Sequence, residues 1–144
     1  MFNLDPHRVG TTLLRISFGA MFIAHSVVLK YFVYSLAGTA DYFVSIGLPA
    51  FLAYVVFAAE AIGGVLLVLG VQTRIVALAL LPILVGATWA HVGNGWVFSN
   101  ANGGWEYPLY LIVIAVVVAL QAPASARDSH QPIRHSGAAA ARVQ

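Results

Sequence analysis

Glu60 sits within a run, residues 49–70 (PAFLAYVVFAAEAIGGVLLVLG), that is otherwise apolar from end to end. A helix of about 20 such residues crosses the roughly 30 Å hydrocarbon core of a bilayer, and that sets Glu60 near the midplane. A short carboxylate at that depth has no route to the headgroups, so it is either protonated or paired. Two roles stay open for it. One is structural: a salt bridge to Arg15, or a hydrogen bond to His25, that fixes helix register. The other is chemical: a proton-accepting or ligand-orienting acid in a pocket between helices. The remaining ionisable residues sort by depth around it. His25, Lys30, His91 and Glu106 fall in the same outer half as Glu60, whereas Arg15 lies deeper on the first helix and Arg74 at the opposite surface.

Each of these also has a plainer role. Lys30 and Arg15 have stems long enough to snorkel. His91, beside a Gly-rich loop, fits an interfacial position, and Arg74 in a tight turn fits a topology determinant. Glu106 opens a helix, where the dipole favours an acid. At about 100° per residue, Arg15, Gly19, Phe22 and Ser26 share one helix face, with His25 and Lys30 flanking it about 140° apart. Gly63 and Gly64 fall on the Glu60 side of their helix, where small residues admit a neighbouring backbone and bury the acid against protein.

The elements that carry these residues follow from composition. The chain has 144 residues, 60% hydrophobic and only 8% charged, with a mean hydropathy of +0.87. Soluble domains carry about 25% charged residues, so this is an integral membrane protein with no separate soluble domain. The seven Lys and Arg are scattered, which excludes a nucleic-acid surface, and the absence of cysteine excludes disulfides, thiolate catalysis and thiolate-ligated clusters. His25, His91 and the two glutamates come from different segments at no diagnostic spacing, so no metal site and no covalently bound cofactor is expected.

Apolar runs predict an all-α membrane protein: an antiparallel bundle of four transmembrane helices at about residues 9–33, 49–70, 75–91 and 106–120. Gly38 and Thr39 predict a stop and a new N-cap, followed by a short interfacial helix over 40–46. The bundle occupies 1–121, and residues 122–144, poor in apolar side chains, form a mobile tail. With four spans, Arg8, Arg74, Arg127, Arg134 and Arg142 share one side and Lys30 the other. The positive-inside rule then places both termini in the cytoplasm.

These residues carry a resemblance. GLP at 47–49, E-x-x-G-G at 60–64 and LLVLGVQTR at 66–74 resemble the DoxX family of small bacterial membrane proteins. So do LLR at 13–15, AHS…K at 24–30 and HVGNGWVFSNANGGWEYPL at 91–109. The likeness runs over about 13–120. Members commonly carry His-Gly followed closely by Lys, whereas here His25 precedes Ser26 and Lys30 lies one residue further on. The resemblance implies the bundle, an inner-membrane location, and Arg15, His25, Lys30, Glu60, Arg74, His91 and Glu106 as the residues of interest. The family is similar in part to the membrane subunit of a thiosulfate:quinone oxidoreductase. Some members are linked to membrane oxidoreductase complexes, and others are distant relatives of membrane chaperones.

Two functions from different classes are therefore expected. In the first, the chain is a redox-linked subunit that binds an isoprenoid quinone between helices, with Phe18, Phe22 and Trp89 against its ring or tail. His25 or Glu60 then exchanges protons with the quinone oxygens, and Lys30 or Arg15 stabilises developing negative charge. Other membrane or peripheral subunits supply the electrons, because the chain lacks a nucleotide-binding fingerprint. In the second, the chain is a non-catalytic scaffold or assembly factor; a homo-oligomer in the bilayer is compatible with either. A small-solute transporter ranks below both, since four short helices enclose little and no inverted repeat is present.

Overall fold

The computed structural model describes residues 5–122, all of whose regular structure is helical. The tail expected over 122–144 falls, beyond Ala122, outside the described residues.

Helix α1 spans Pro6–Ile23 and opens on a local signal: Asp5 accepts a hydrogen bond from the His7 amide at 3.0 Å, and Pro6 stands in the first turn. It continues without a break into a π-helix, Ala24–Val33, giving one 28-residue rod. Helix α2 (Leu36–Ser45) is short. Its start differs from the expected cap at Thr39. The Ser35 hydroxyl accepts from the Gly38 amide at 3.1 Å, which makes Gly38 part of the first turn and moves the helix start upstream. Helices α3 (Phe51–Leu69), α4 (Thr73–His91) and α5 (Glu106–Gln121) complete the chain.

Four of these close a ring: α1 packs chiefly on α3, α3 on α4, α4 chiefly on α5, and α5 touches α1. Helix α2 lies against α3 and the π-helix. The α1–π rod, α3 and α4 are each long and apolar enough to cross a membrane, whereas α5, with 16 residues, is shorter. Phe18, Phe22 and Leu67 fill the α1–α3 side of the core, and Ala77, Leu80, Leu111, Ala115 and Ala119 fill the α4–α5 side. Outward positions are equally apolar, with Leu13, Phe51, Ile62, Leu69, Ile75 and Leu120 all exposed. A soluble surface does not carry this much exposed apolar area; a lipid-facing one requires it.

Small residues set the helix spacing. A Cβ on Gly19 would lie 2.7 Å from the Gly64 carbonyl oxygen, and one on Gly64 2.8 Å from that of Gly19, so α1 and α3 cross backbone to backbone. Gly63 instead faces α4, where an added Cβ would meet Leu80 at 3.0 Å. Helix α3 ends in a Schellman motif, with Gly70 at φ +75° and the Val71 amide bonded to the Leu66 carbonyl at 2.9 Å.

The crossing generates a paired prediction. Gly64→Ala is expected to destabilise the bundle by about 1–3 kcal/mol, because backbone cannot yield as a side chain does. Gly86→Ala, where a Cβ meets nothing within 4 Å, is expected to be neutral or slightly stabilising. Unfolding of both variants from mixed micelles by titrated denaturing detergent measures the difference.

Candidate functional site

The Gly19–Gly64 crossing fixes which residues of α1 face which of α3. In that antiparallel register Arg15 lies opposite Leu67 and Val68, about two turns beyond Glu60. Its guanidinium donates to both carbonyls, Val68 O at 2.9 Å. Arg15 thus satisfies the open end of α3, where a cation also complements the helix dipole. Gly70 packs under it, since a Cβ there would come within 2.7 Å of Nη1. The expected Glu60–Arg15 bridge is excluded by this register.

Glu60 pairs with Lys30 instead. The Lys30 ammonium donates to Glu60 Oε2 across the α1–α3 seam, with the Glu60 side chain 7% and that of Lys30 18% exposed. Lys30 therefore does not snorkel. It turns back along its own helix, the direction helical side chains favour, and reaches the acid. The π-helix enables this. Its i→i+5 bonds, such as Tyr34 N–H to Leu29 O at 2.8 Å, advance the chain through fewer degrees per residue than an α-helix. The 140° separation of His25 and Lys30, computed for α geometry, does not hold there. The extra residue before Lys30, noted in the sequence, falls in this segment, and π-helical turns absorb such an insertion.

His25, on the same π segment, faces the opposite neighbour. Its Nδ1 lies 3.1 Å from the Met21 carbonyl oxygen, and its ring stacks on Tyr107 of α5 with centroids 6.0 Å apart. A carbonyl only accepts, so Nδ1 carries a proton in this contact, which leaves Nε2 as the ring nitrogen free for another partner. Ser26, fully buried beside it, returns its hydroxyl to Phe22 O at 2.8 Å. Tyr107 was not legible as a site residue; its only signal was its place next to Glu106.

His91 and Glu106 serve the α4–α5 connection. His91 Nδ1 bonds the Gly103 carbonyl at 3.1 Å, and Asn94 spends its amide hydrogens on the carbonyls of Asn102 and Gly103. Glu106 Oε1 accepts from the Phe98 amide at 2.9 Å. Gly104 completes the closure, because a Cβ there would collide with the Trp96 and Val97 carbonyls. The ionisable residues expected to converge thus separate into three places: Lys30–Glu60 between α1 and α3, His25–Tyr107 between α1 and α5, and the loop clamp. Phe22 is 1% exposed in the core, edge-on to Phe18, and Trp89 is 57% exposed on the outside of α4. Arg74 is exposed at the start of α4. Among the described residues, no three His, Cys, Asp or Glu side chains come together.

Two open grooves flank α5. One, about 220 Å³, runs between α1 and α5 and is lined by Leu14, Ser17, Phe18, Met21, Tyr107 and Ile114 among others. Its α1 wall ends at Met21, one turn before His25, and its α5 wall at Tyr107, on which His25 stacks. The other, about 440 Å³, lies between α5 and the loop, against Trp96, Phe98, Glu106, Tyr107 and Tyr110. The arrangement can therefore do two things: lock two helices through a closed ion pair, and hold an imidazole against Tyr107, which lines an apolar groove.

The ion pair generates a prediction. Lys30→Met is expected to lower stability by about 3–5 kcal/mol by leaving Glu60 buried without its partner. Lys30→Met combined with Glu60→Leu is expected to recover most of that loss. A double-mutant cycle on unfolding midpoints tests the coupling, and additive losses contradict it.

The DoxX family profile matches residues 10–93. A protein of Bacillus subtilis (strain 168) named "Putative oxidoreductase CatD" is 47% identical over 112 residues, 78% of each chain. No solved structure matches the chain. A match over more than half of the sequence, with a relative this similar over most of its length, fixes the family: the chain belongs to the DoxX family of membrane proteins.

Proposed function

We propose that this chain is the membrane subunit of a quinone-linked oxidoreductase, with His25 rather than Glu60 as its proton-exchanging group. The observation that carries this reading is His25, its Nδ1 proton held by Met21 O and its ring stacked on Tyr107 beside the α1–α5 groove. An isoprenoid quinone fits the residues there, because the groove wall is apolar and opens sideways, where a tail arrives from lipid. Bound, such a molecule supplies the electron acceptor. The chain's own residues then orient it and handle its protons. As electrons arrive on such a molecule, Nε2 would pass a proton to its reduced oxygen and regain one from outside the groove, and the Tyr107 ring holds the imidazole plane. The electrons come from a partner subunit.

The reading places the chain in a bacterial inner membrane, with α5 as a fourth span and both termini cytoplasmic. The relative named as an oxidoreductase supports it at the level of reaction class. Glu60 has a different role in this account. Its carboxylate is committed to Lys30 in a largely buried seam, so it holds the frame that presents His25. A non-catalytic scaffold is the second reading, favoured by the same closed ion pair and by the clamped loop, both of which are structural devices.

Mass spectrometry of lipids retained through mild-detergent purification tests the proposal. Wild type is expected to retain near-stoichiometric isoprenoid quinone, and His25→Phe, which keeps an aromatic ring against Tyr107, is expected to lose it with helical content unchanged. Quinone retained equally by His25→Phe overturns the assignment of His25. A wild type that retains none, and recovers a second protein instead, favours the scaffold.

A further inference from the structure

The larger groove on α5 carries a second inference, independent of the quinone reading. Its walls are aromatic, with Trp96 and Phe98 from the loop and Tyr107 and Tyr110 from the helix, and Glu106 is its one acidic side chain. The carboxylate is only half used, since Oε1 takes the Phe98 amide and no hydrogen-bond donor meets Oε2 among the described residues. Among the described residues no cation pairs with it: the ion pairs there are Arg8–Asp5 and Lys30–Glu60. A carboxylate with no ion-pair partner among the described residues, beside several exposed aromatic rings, is an arrangement that recognises an organic ammonium, which the charge attracts and the ring faces accommodate.

We infer that this groove binds a phospholipid with an ammonium headgroup, of the phosphatidylethanolamine type. Position selects a lipid over a soluble cation. The groove begins at the α4–α5 loop, at one end of the bundle, and continues down α5 past Tyr110 to Val113, offering an apolar track for an acyl chain below the carboxylate. The ammonium sits at Glu106 Oε2, and the indole and phenol groups around it supply donors for the phosphate. Trp96 is held for this purpose from both sides: edge-on to Trp105 with ring centroids 4.5 Å apart, and through its carbonyl, which accepts from the Glu106 amide at 3.1 Å.

Native mass spectrometry of the full chain from micelles, supplied with equimolar phosphatidylethanolamine and phosphatidylglycerol of identical acyl chains, reads the selectivity directly. Wild type is expected to retain the ethanolamine lipid in about fivefold preference, the scale of one charge-assisted and one cation–π contact at a part-exposed site. Glu106→Gln keeps the acceptor for the Phe98 amide and removes the charge, so it is expected to retain both lipids equally with an unchanged unfolding midpoint. Tyr110→Leu, which leaves the carboxylate in place, is expected to halve the preference or more. Equal retention by wild type overturns the proposal, as does undiminished preference in Glu106→Gln. Tetraethylammonium displacing the lipid at equimolar concentration also overturns it, because the occupant is then a small cation.

Discussion

The Lys30–Glu60 pair is the constraint from which the rest of the bundle follows. A buried glutamate in a chain with 8% charged residues must be matched, and here its partner comes from a neighbouring helix. Desolvating both charges consumes most of their attraction, so the pair adds little net stability while severely penalising any arrangement that separates its members. Every feature near it serves that match. Gly19 and Gly64 bring the two backbones together, Arg15 closes the far end of α3, and the π-helix turns Lys30 into reach. A longer side chain at either glycine would spread the seam and leave both charges in an apolar medium.

The same constraint divides the labour of the polar residues. Once Glu60 is committed to the α1–α3 seam, the α1–α5 seam holds the imidazole whose outer nitrogen is unassigned, and that seam has a groove beside it. One π-helical segment feeds both seams, with His25 turned to Tyr107 and Lys30 to Glu60. Long π-helical stretches are rare and are found mostly at functional sites, because they forgo good packing of the helix axis for a particular display of side chains. Here the display joins a fixed structural charge to a titratable group five residues away.

Much of the architecture was legible because lipid imposes it. Apolar runs of spanning length, broken by Gly70 and by the Gly/Asn-rich loop after His91, mark the helices directly, and Gly63–Gly64 beside an acid marks a close crossing. The partner of Glu60 was not legible. Arg15 suits it by charge and depth, but the antiparallel register of α1 on α3 carries Arg15 to the Leu67 and Val68 carbonyls, and nothing in AHSVVLKYFV announces the i→i+5 ladder on which Lys30 sits. His91 and Glu106 were assigned to a converging cluster by depth alone. Their actual partners are backbone groups of the loop, Gly103 O and Phe98 N–H, set by a closure that side-chain type does not encode. Trp89 is expected against a quinone ring or tail, yet it stands exposed on the outside of α4, and in lipid an aromatic residue gains as much by facing out. Ser35 as the cap of α2 was the more readable miss, a Ser three residues ahead of a bonded amide.

Solid-state NMR of the full chain in quinone-containing bilayers tests the central claim, that the ion pair holds the frame while the imidazole does the chemistry. The chain has just two glutamates and five histidines, so carboxylate carbon and imidazole nitrogen signals are assignable by single replacements. Relative to bilayers without quinone, the account predicts a shift at His25 Nε2 and an unchanged Glu60 carboxylate still coupled to the Lys30 ammonium. A shift at Glu60 with loss of that coupling, and none at His25, contradicts it.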